Sequence, residues 1–292
     1  MASAELRQIQ RRIKSVQSTM KITRAMELIA TSRIARARVR VAEAKPYIEK
    51  MADVIRNIAA AGGLRHPLLE RREVKTVGIL VVTSDRGLAG GYNTNVIRMA
   101  ERAMLAHRAN ERPMRLYVVG EKALNHFRYR KYPIDNSFLG VTDTPVYGDA
   151  RAIANILLNE YEEGAIDSVE VYTTRYVSAL TQTPIHWQLL PIDPPQDTGK
   201  SEGGSVSYSF EPSPEEILSR LLPRFLEGTV FGTLLEASAS EHAARRRAMK
   251  AATENAEELT RVLTRDANQA RQSEITTEIS EIVGGAEALI GG

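Results

Sequence analysis

The residues best suited to chemistry form one run, Ser84-Asp85-Arg86-Gly87-Leu88-Ala89-Gly90-Gly91-Tyr92-Asn93, directly after the apolar run Val77-Gly78-Ile79-Leu80-Val81-Val82. A glycine-rich turn between a buried strand and a helix is where a doubly wound fold cradles phosphate, because the amides of the helix N-terminus are unpaired and carry partial positive charge. The spacing here is neither G-x-G-x-x-G nor G-x-x-x-x-G-K-[ST], no lysine follows, and no acid stands at the distance that would reach a ribose. The run is therefore expected to be a structural turn or an interaction loop rather than a nucleotide cradle. The chain has no cysteine, which excludes disulfides, thiol nucleophiles and thiolate metal sites, and its five histidines (His66, His107, His126, His186, His242) are too dispersed for a local ligand pair. Without a Ser–Asp pair beside them, His126 and His186 read as ordinary core or surface histidines, so neither a catalytic constellation nor a cofactor site is expected.

The elements that would carry this loop divide into two long ends and a middle. Between residues 3 and 61 there is no glycine and one proline, Pro46, a composition that predicts a single long helix bent at Pro46 and stopped by Gly62 and Gly63. Leu6, Ile9, Ile13, Val16 and Met20 alternate three- and four-residue steps as a coiled-coil seam does, and a shifted stripe at Ile22, Met26, Ile29 and Arg33 predicts a local relaxation of the supercoil. Residues 214–290 repeat the pattern through Ile217, Leu221, Phe225, Leu235, Ala248, Ala252, Ala256, Leu259, Leu263, Ala270, Ile275, Ile279 and Ile282, with kinks expected at Pro223, Gly228 and Gly232. Some 70 helical residues would measure roughly 100 Å, so much of this helix must project from any globular body. Residues 1–58 hold 13 Lys and Arg against 5 acids and residues 212–292 hold 9 against 13, so the two ends attract each other. Arg33, Arg36, Arg38 and Arg40, like Arg245, Arg246 and Arg247, read equally as a solvated face or as partner-facing residues.

In the middle, strands are expected at 77–82, 115–119 and 168–176 and helices at 96–107, 121–129 and 150–162, followed by an extended segment at 183–190. The fold class is thus α/β plus a long coiled coil: a central Rossmann-like domain with a mostly parallel sheet, clasped by N- and C-terminal helices in an antiparallel coiled coil. The expected division is an N-terminal helix at 1–61, an α/β domain at 74–194, a Pro-, Gly- and Ser-rich link at 195–211 and a C-terminal helix at 212–290. The net charge of +3 is too small to hold nucleic acid in bulk. The first helix carries only Tyr47 among its basic residues, which disfavours a nucleic-acid-binding arm. No apolar run reaches the roughly 18 residues of a membrane span and no signal-peptide core opens the chain, so an intracellular location is expected.

Three segments resemble the gamma subunit of F-type ATP synthases: Arg12-Ile13-Lys14-Ser15-Val16 with Lys21-Ile22-Thr23-Arg24-Ala25-Met26-Glu27-Leu28-Ile29-Ala30; the 84–91 loop; and Ala239-Ser240-Glu241-His242-Ala243-Ala244-Arg245 with Ala248-Met249-Lys250-Ala251-Ala252-Thr253, ending in Ile275-Thr276-Thr277-Glu278-Ile279-Ser280-Glu281-Ile282-Val283-Gly284-Gly285-Ala286. They sample the whole chain in family order. Ala89 stands where the family usually carries a cysteine, and the absence of any cysteine excludes thiol control. The resemblance implies a non-catalytic rotor shaft that transmits torque from proton flow to the catalytic ring, with Asp85, Arg86, Gly87, Gly90 and Gly91 as the family loop. It implies contacts to the beta subunit through Arg98, Arg271 and Gln272. Met26 would either face the moving beta lever or simply pack in the coiled coil. A collar bearing would hold Ile282, Val283, Ala286 and Leu289. The implied partners are the alpha, beta and epsilon subunits and the rotor c-ring, with no cofactor, at the cytoplasmic face of a bacterial plasma membrane.

Overall fold

A computed structural model describes residues 2–60, 66–193 and 213–290. The expected stop at Gly62 and Gly63 and the 195–211 link lie outside them. The elements run α1 (Ala2–Ala60), β1 (Val77–Val82), α2 (Tyr92–Ala109), β2 (Met114–Val119), α3 (Glu121–Tyr129), β3 (Asn136–Phe138), α4 (Tyr147–Glu162), β4 (Ser168–Tyr176), β5 (Gln182–Leu190) and α5 (Pro214–Ile290). The chain divides into two compact units, one of residues Ala30–Arg245 and one built from the two ends of the chain.

In the larger unit the sheet order is β3-β2-β1-β4-β5. The first four strands are parallel and β5 pairs antiparallel with β4. Central β1 is buried at every position, as a strand covered on both faces must be. Leu80, Val82, Tyr117, Val119 and Val171 point to one face, where α4 supplies Ile153, Ala154 and Leu157, α5 supplies Leu218, Leu222, Leu226, Val230 and Leu234, and α1 supplies Ile55 and Ile58. Their neighbours Ile79, Val81, Leu116 and Val118 point to the other face, against Val96, Ala100 and Met104 of α2 and Leu124 and Phe127 of α3. The connections from β1 and from β3 thus leave toward opposite faces, which opens a crevice at the carboxyl ends of β1 and β4. Sequence patterning missed β3, a three-residue edge strand too short to show a period.

Burial along α1 corrects the expected seam. It recurs in unbroken three- and four-residue steps at Leu6, Ile9, Ile13, Val16, Met20, Thr23, Glu27, Ala30, Ile34, Ala37 and onward to Ile58. There is no shifted stripe: Ile22 and Ile29 are 59% and 54% exposed, because the seam passes through Thr23 and Ala30 instead. A reading weighted to bulky apolar side chains overlooks a threonine whose hydroxyl is paired. Neither Pro46 nor Pro223 interrupts its helix. In α5 the seam after Arg245 follows Met249, Thr253, Ala256, Thr260, Leu263, Ala267, Ala270 and Glu274, whereas Leu259, Ile275, Ile279 and Ile282 are exposed. In the larger unit a Cβ on Gly232 would stand 2.8 Å from Ile48 Cδ1. Earlier in α1, Arg33 reaches the same loop residue, Asp143, as does His242 later in α5. The two helices therefore run antiparallel.

In the smaller unit the buried hydroxyls of Thr23 and Thr253 lie 2.8 Å apart. Thr253 Oγ1 also reaches the Met249 carbonyl at 2.9 Å and Thr23 Oγ1 the Met20 carbonyl at 3.0 Å, so each hydroxyl proton has an acceptor. A polar pair inside an otherwise apolar seam favours one register over its neighbours. Either Thr23→Val or Thr253→Val alone is expected to destabilise the chain by about 1 kcal/mol, and the double variant by less than the two singles together, because it leaves no lone hydroxyl in the seam. Urea unfolding of the three variants measures the coupling.

Candidate functional site

The loop after β1 is built by its own side chains. Asn93 Oδ1 accepts from the Ser84 amide and hydroxyl, both at 2.9 Å. The Asp85 carboxylate accepts from the amides of Glu121 at 3.3 Å, Gly140 at 3.1 Å and Thr142 at 3.2 Å, and from the Thr142 hydroxyl at 2.8 Å. The first amides of α3 are thereby all used: Glu121 gives to Asp85, Lys122 to the Ser84 carbonyl, Ala123 to Thr83 Oγ1 and Leu124 to the Gly120 carbonyl. An internal carboxylate sits where a doubly wound protein would hold a phosphate, so this helix N-terminus is already neutralised. The Tyr92 amide, first in α2, gives to the Ala89 carbonyl. Gly90 has φ of 58°, a conformation that favours glycine, and Ala89 is packed with Tyr92 and Ala244, which explains a small residue there.

What fills the crevice above β1 and β4 is α5 itself. The Tyr92 hydroxyl donates to the Ala237 carbonyl at 3.1 Å, and Ser240 Oγ donates to the Thr174 carbonyl at the end of β4 at 3.3 Å. Ser238 Oγ and His242 Nε2 both reach the Asp143 carbonyl, at 3.2 and 3.3 Å. Arg245 is the clamp. Its Nε and Nη2 donate to the Gly87 carbonyl at 3.2 and 3.1 Å, its Nη2 also approaches the Arg86 carbonyl at 3.4 Å, and the same Nη2 pairs with Glu241 Oε1 at 2.6 Å. From α1, Arg33 pairs with Asp143 and Arg40 donates to the Pro145 carbonyl. Arg86 lies 3.8 Å from Asp143.

Burial governs the charges of this cluster. It pushes His242 down to about 4, against Asp143, so the imidazole is neutral, with Nε2–H facing the Asp143 carbonyl and Nδ1 facing Arg245 at 3.5 Å. Burial pushes Glu241 up to about 7, opposed by Arg245. Glu241 Oε2 is buried and has no hydrogen-bond partner among the described residues. Asp143, Glu241 and His242 offer ligand-type atoms within 4.8 Å of one another. The guanidinium groups of Arg33 and Arg245 already pair with these carboxylates, which makes the cluster an ion-pair network rather than a cation site.

Of the residues singled out in the sequence, the structure brings Asp85, Arg86 and Gly87 together with Arg33 and Arg245; it leaves Arg98, Arg271 and Gln272 exposed and Met26 half-buried. Ile282, Val283 and Ala286 are exposed on α5, and the Leu289 side chain lies outside the described residues. The partner-facing or solvated reading of Arg33, Arg40 and Arg245 is replaced by an internal one. Sequence reasoning missed Asp143, which has no local pattern, and passed over the Glu241–Arg245 pair, whose four-residue spacing on a helix was the available signal.

The larger unit is thus a doubly wound domain whose crevice is filled by α5, and in the smaller unit the two end helices pair along a heptad seam. Comparisons with known proteins give the family. A family profile described as ATP synthase matches residues 5–289. The ATP synthase gamma chain of Parafrankia sp. (strain EAN1pec) is 47% identical, with 99% of each chain covered, and that of Mycolicibacterium smegmatis is 44% identical over 99% of each. In solved structures, a chain of the Euglena gracilis mitochondrial ATP synthase (OSCP/F1/c-ring) matches with a TM-score of 0.69 at 17% identity, covering 98% of this chain and 95% of that one. The central stalk/c-ring structure of the Tetrahymena thermophila enzyme matches with a TM-score of 0.59 at 22% identity, covering 79% and 99%. These two support the fold. The chain belongs to the ATP synthase gamma chain family, the central-stalk and non-catalytic subunit of that enzyme. Among the described residues no helix is long and apolar enough to cross a membrane.

Proposed function

We propose that this chain is the central rotor shaft of a bacterial, proton-translocating F-type ATP synthase, turning inside the ring of alpha and beta subunits and seated with the epsilon subunit on the c-ring at the cytoplasmic face of the plasma membrane. The observation that carries this reading is α5: one helix of 77 residues is built into the α/β core from Leu218 to Ala237 and continues well past that domain into the smaller unit. Its last turns present Ile279, Ile282 and Val283 to solvent, at 56%, 71% and 52% exposure. Exposed apolar side chains at a helix end suit a collar in which rotation must make no lasting polar bond, and this is the role proposed for Ile282, Val283, Ala286 and Leu289. The crevice contacts of Arg245, Tyr92 and Ser240 support the domain as the grip through which torque enters the helix. A shaft acts by biasing states: each face it presents stabilises one conformation of a catalytic site over another, so the work of proton flow becomes a difference in affinity for nucleotide. Purification of the complex from the native membrane through a tag on this chain tests the reading. Recovery of alpha, beta, epsilon and c subunits is expected; their absence overturns it.

Arg271, Gln272 and Arg98 are proposed to meet beta-subunit loops, with Met26 beside the moving lever. Charged contacts are strong when a partner loop encloses them and weak when exposed. Arg271→Ala is therefore expected to change ATP turnover and proton pumping several-fold, approaching the tenfold that about 1.4 kcal/mol represents, while the complex stays assembled. Both rates are measured on the same vesicles. Unchanged rates would leave Arg271 a solvated surface charge.

A further inference from the structure

The Glu241 carboxyl is unusual in its surroundings. It is 1% exposed and holds Arg245 with Oε1, while Oε2 is buried with no hydrogen-bond partner among the described residues. A buried carboxylate that keeps its charge is normally satisfied at both oxygens, and one that is not lowers the cost of its burial by taking a proton and becoming neutral. We propose that the Glu241–Arg245 pair is a proton-operated latch between α5 and the 84–91 loop: the seated latch takes up one proton on Glu241, and loss of that proton at higher pH loosens the loop from the helix.

The groups facing Glu241 come from every element around it. Asp85 and Asp143, from the loops after β1 and β3, oppose its negative charge, and Arg245 of α5 favours it. Arg33 of α1 and Arg86 are engaged with Asp143. His242 is neutral at any pH well above 4, and burial holds the Tyr92 phenol of α2 neutral, so neither titrates in the same range. The net effect is that burial raises Glu241 from its ordinary 4.5 to about 7. The seated form thus binds a proton that the released form does not hold between these values. Seating is fully favoured below the ordinary value, weakens as pH rises, and reaches a constant lower level above about 7. This concerns only the contact between α5 and the loop and does not depend on the shaft reading.

The test uses the full chain. Infrared spectra taken at about pH 6 and about pH 8 are expected to show a buried protonated carboxyl group at the lower pH alone. Protection of the Ser84, Asp85 and Tyr92 amides, which are hydrogen-bonded at the two ends of the loop, is expected to fall about tenfold over the same interval once corrected for intrinsic exchange rates. In Glu241→Gln, which cannot ionise, the carboxyl band disappears and protection no longer changes with pH. Absence of the band from the unsubstituted chain, or protection that does not change with pH, overturns the latch. A pH slope that survives in Glu241→Gln also overturns it, by moving the proton to another group. The infrared measurement on the unsubstituted chain stands whether or not the variant folds.

Discussion

Gly120→Ala is expected to destabilise the α/β domain by about 4 kcal/mol or more and to lower its melting temperature by about 10 °C. Gly120 is the N-cap of α3, with φ of 92° and ψ of 145°, a region of backbone space that only glycine enters without strain. A Cβ there would also stand 2.6 Å from the Thr83 carbonyl oxygen, 2.8 Å from its carbon and 2.9 Å from the Ser84 carbonyl carbon. Backbone cannot swing away as a side-chain tip can. Relief would require moving the end of β1 and the start of α3, where the Thr83 amide and hydroxyl both bond to the Val119 carbonyl. Gly87 supplies the contrast. Its added Cβ would meet nothing nearer than Lys122 Cε at 3.5 Å, on a flexible side chain. Gly87→Ala is expected to change stability by about 0.5 kcal/mol or less. Thermal unfolding of the two variants side by side separates the requirement for glycine from mere membership of a glycine-rich motif. An undisturbed Gly120→Ala variant would contradict the packing described between β1 and α3.

Arg245→Ala is expected to be comparably severe, about 3–5 kcal/mol at pH 8, and clearly milder near pH 6. The substitution removes the hydrogen bonds to the Gly87 carbonyl and the partner of a carboxyl that is 1% exposed. Breaking one side of a buried ion pair is costly because the other charge is left without water or a partner. Glu241 escapes that penalty by taking a proton. Arg245 is what opposes the upward push of burial on Glu241, so its removal raises the carboxyl further above 7 and makes protonation easier. The loss therefore grows as pH rises. Denaturant unfolding at both pH values checks the sign, and a variant equally destabilised at both would place Glu241 outside the titrating range. Arg245→Lys is expected to recover only part of the loss, since an ammonium lacks the planar fork that reaches the loop and Glu241 together.

The sequence by itself determined much of this protein. Glycine-free runs of helix formers marked α1 and α5, because propensity summed over tens of residues outweighs local ambiguity. Apolar runs such as 77–82 marked the buried strands, since a strand covered on both faces has no polar side to disguise it. The three matching segments carried the family, and the departures of the 84–93 loop from phosphate-binding spacings argued against a nucleotide. Only the tertiary structure decided how these parts meet. Ile22 and Ile29 look like seam residues and are exposed, while Thr23 and Ala30 look incidental and are buried, because a heptad phase is chosen by the partner helix. Arg33, Arg40 and Arg245 look like surface charges and instead bind Asp143, the Pro145 carbonyl and the Gly87 carbonyl, residues distant along the chain. The unpaired oxygen of Glu241 has no signature in sequence at all, for it depends on what is missing around an atom after packing. Periodicity and composition act between near neighbours and can be read along the chain. Ion pairing, desolvation and the closing of a crevice by a helix depend on distances that exist only once the chain has folded.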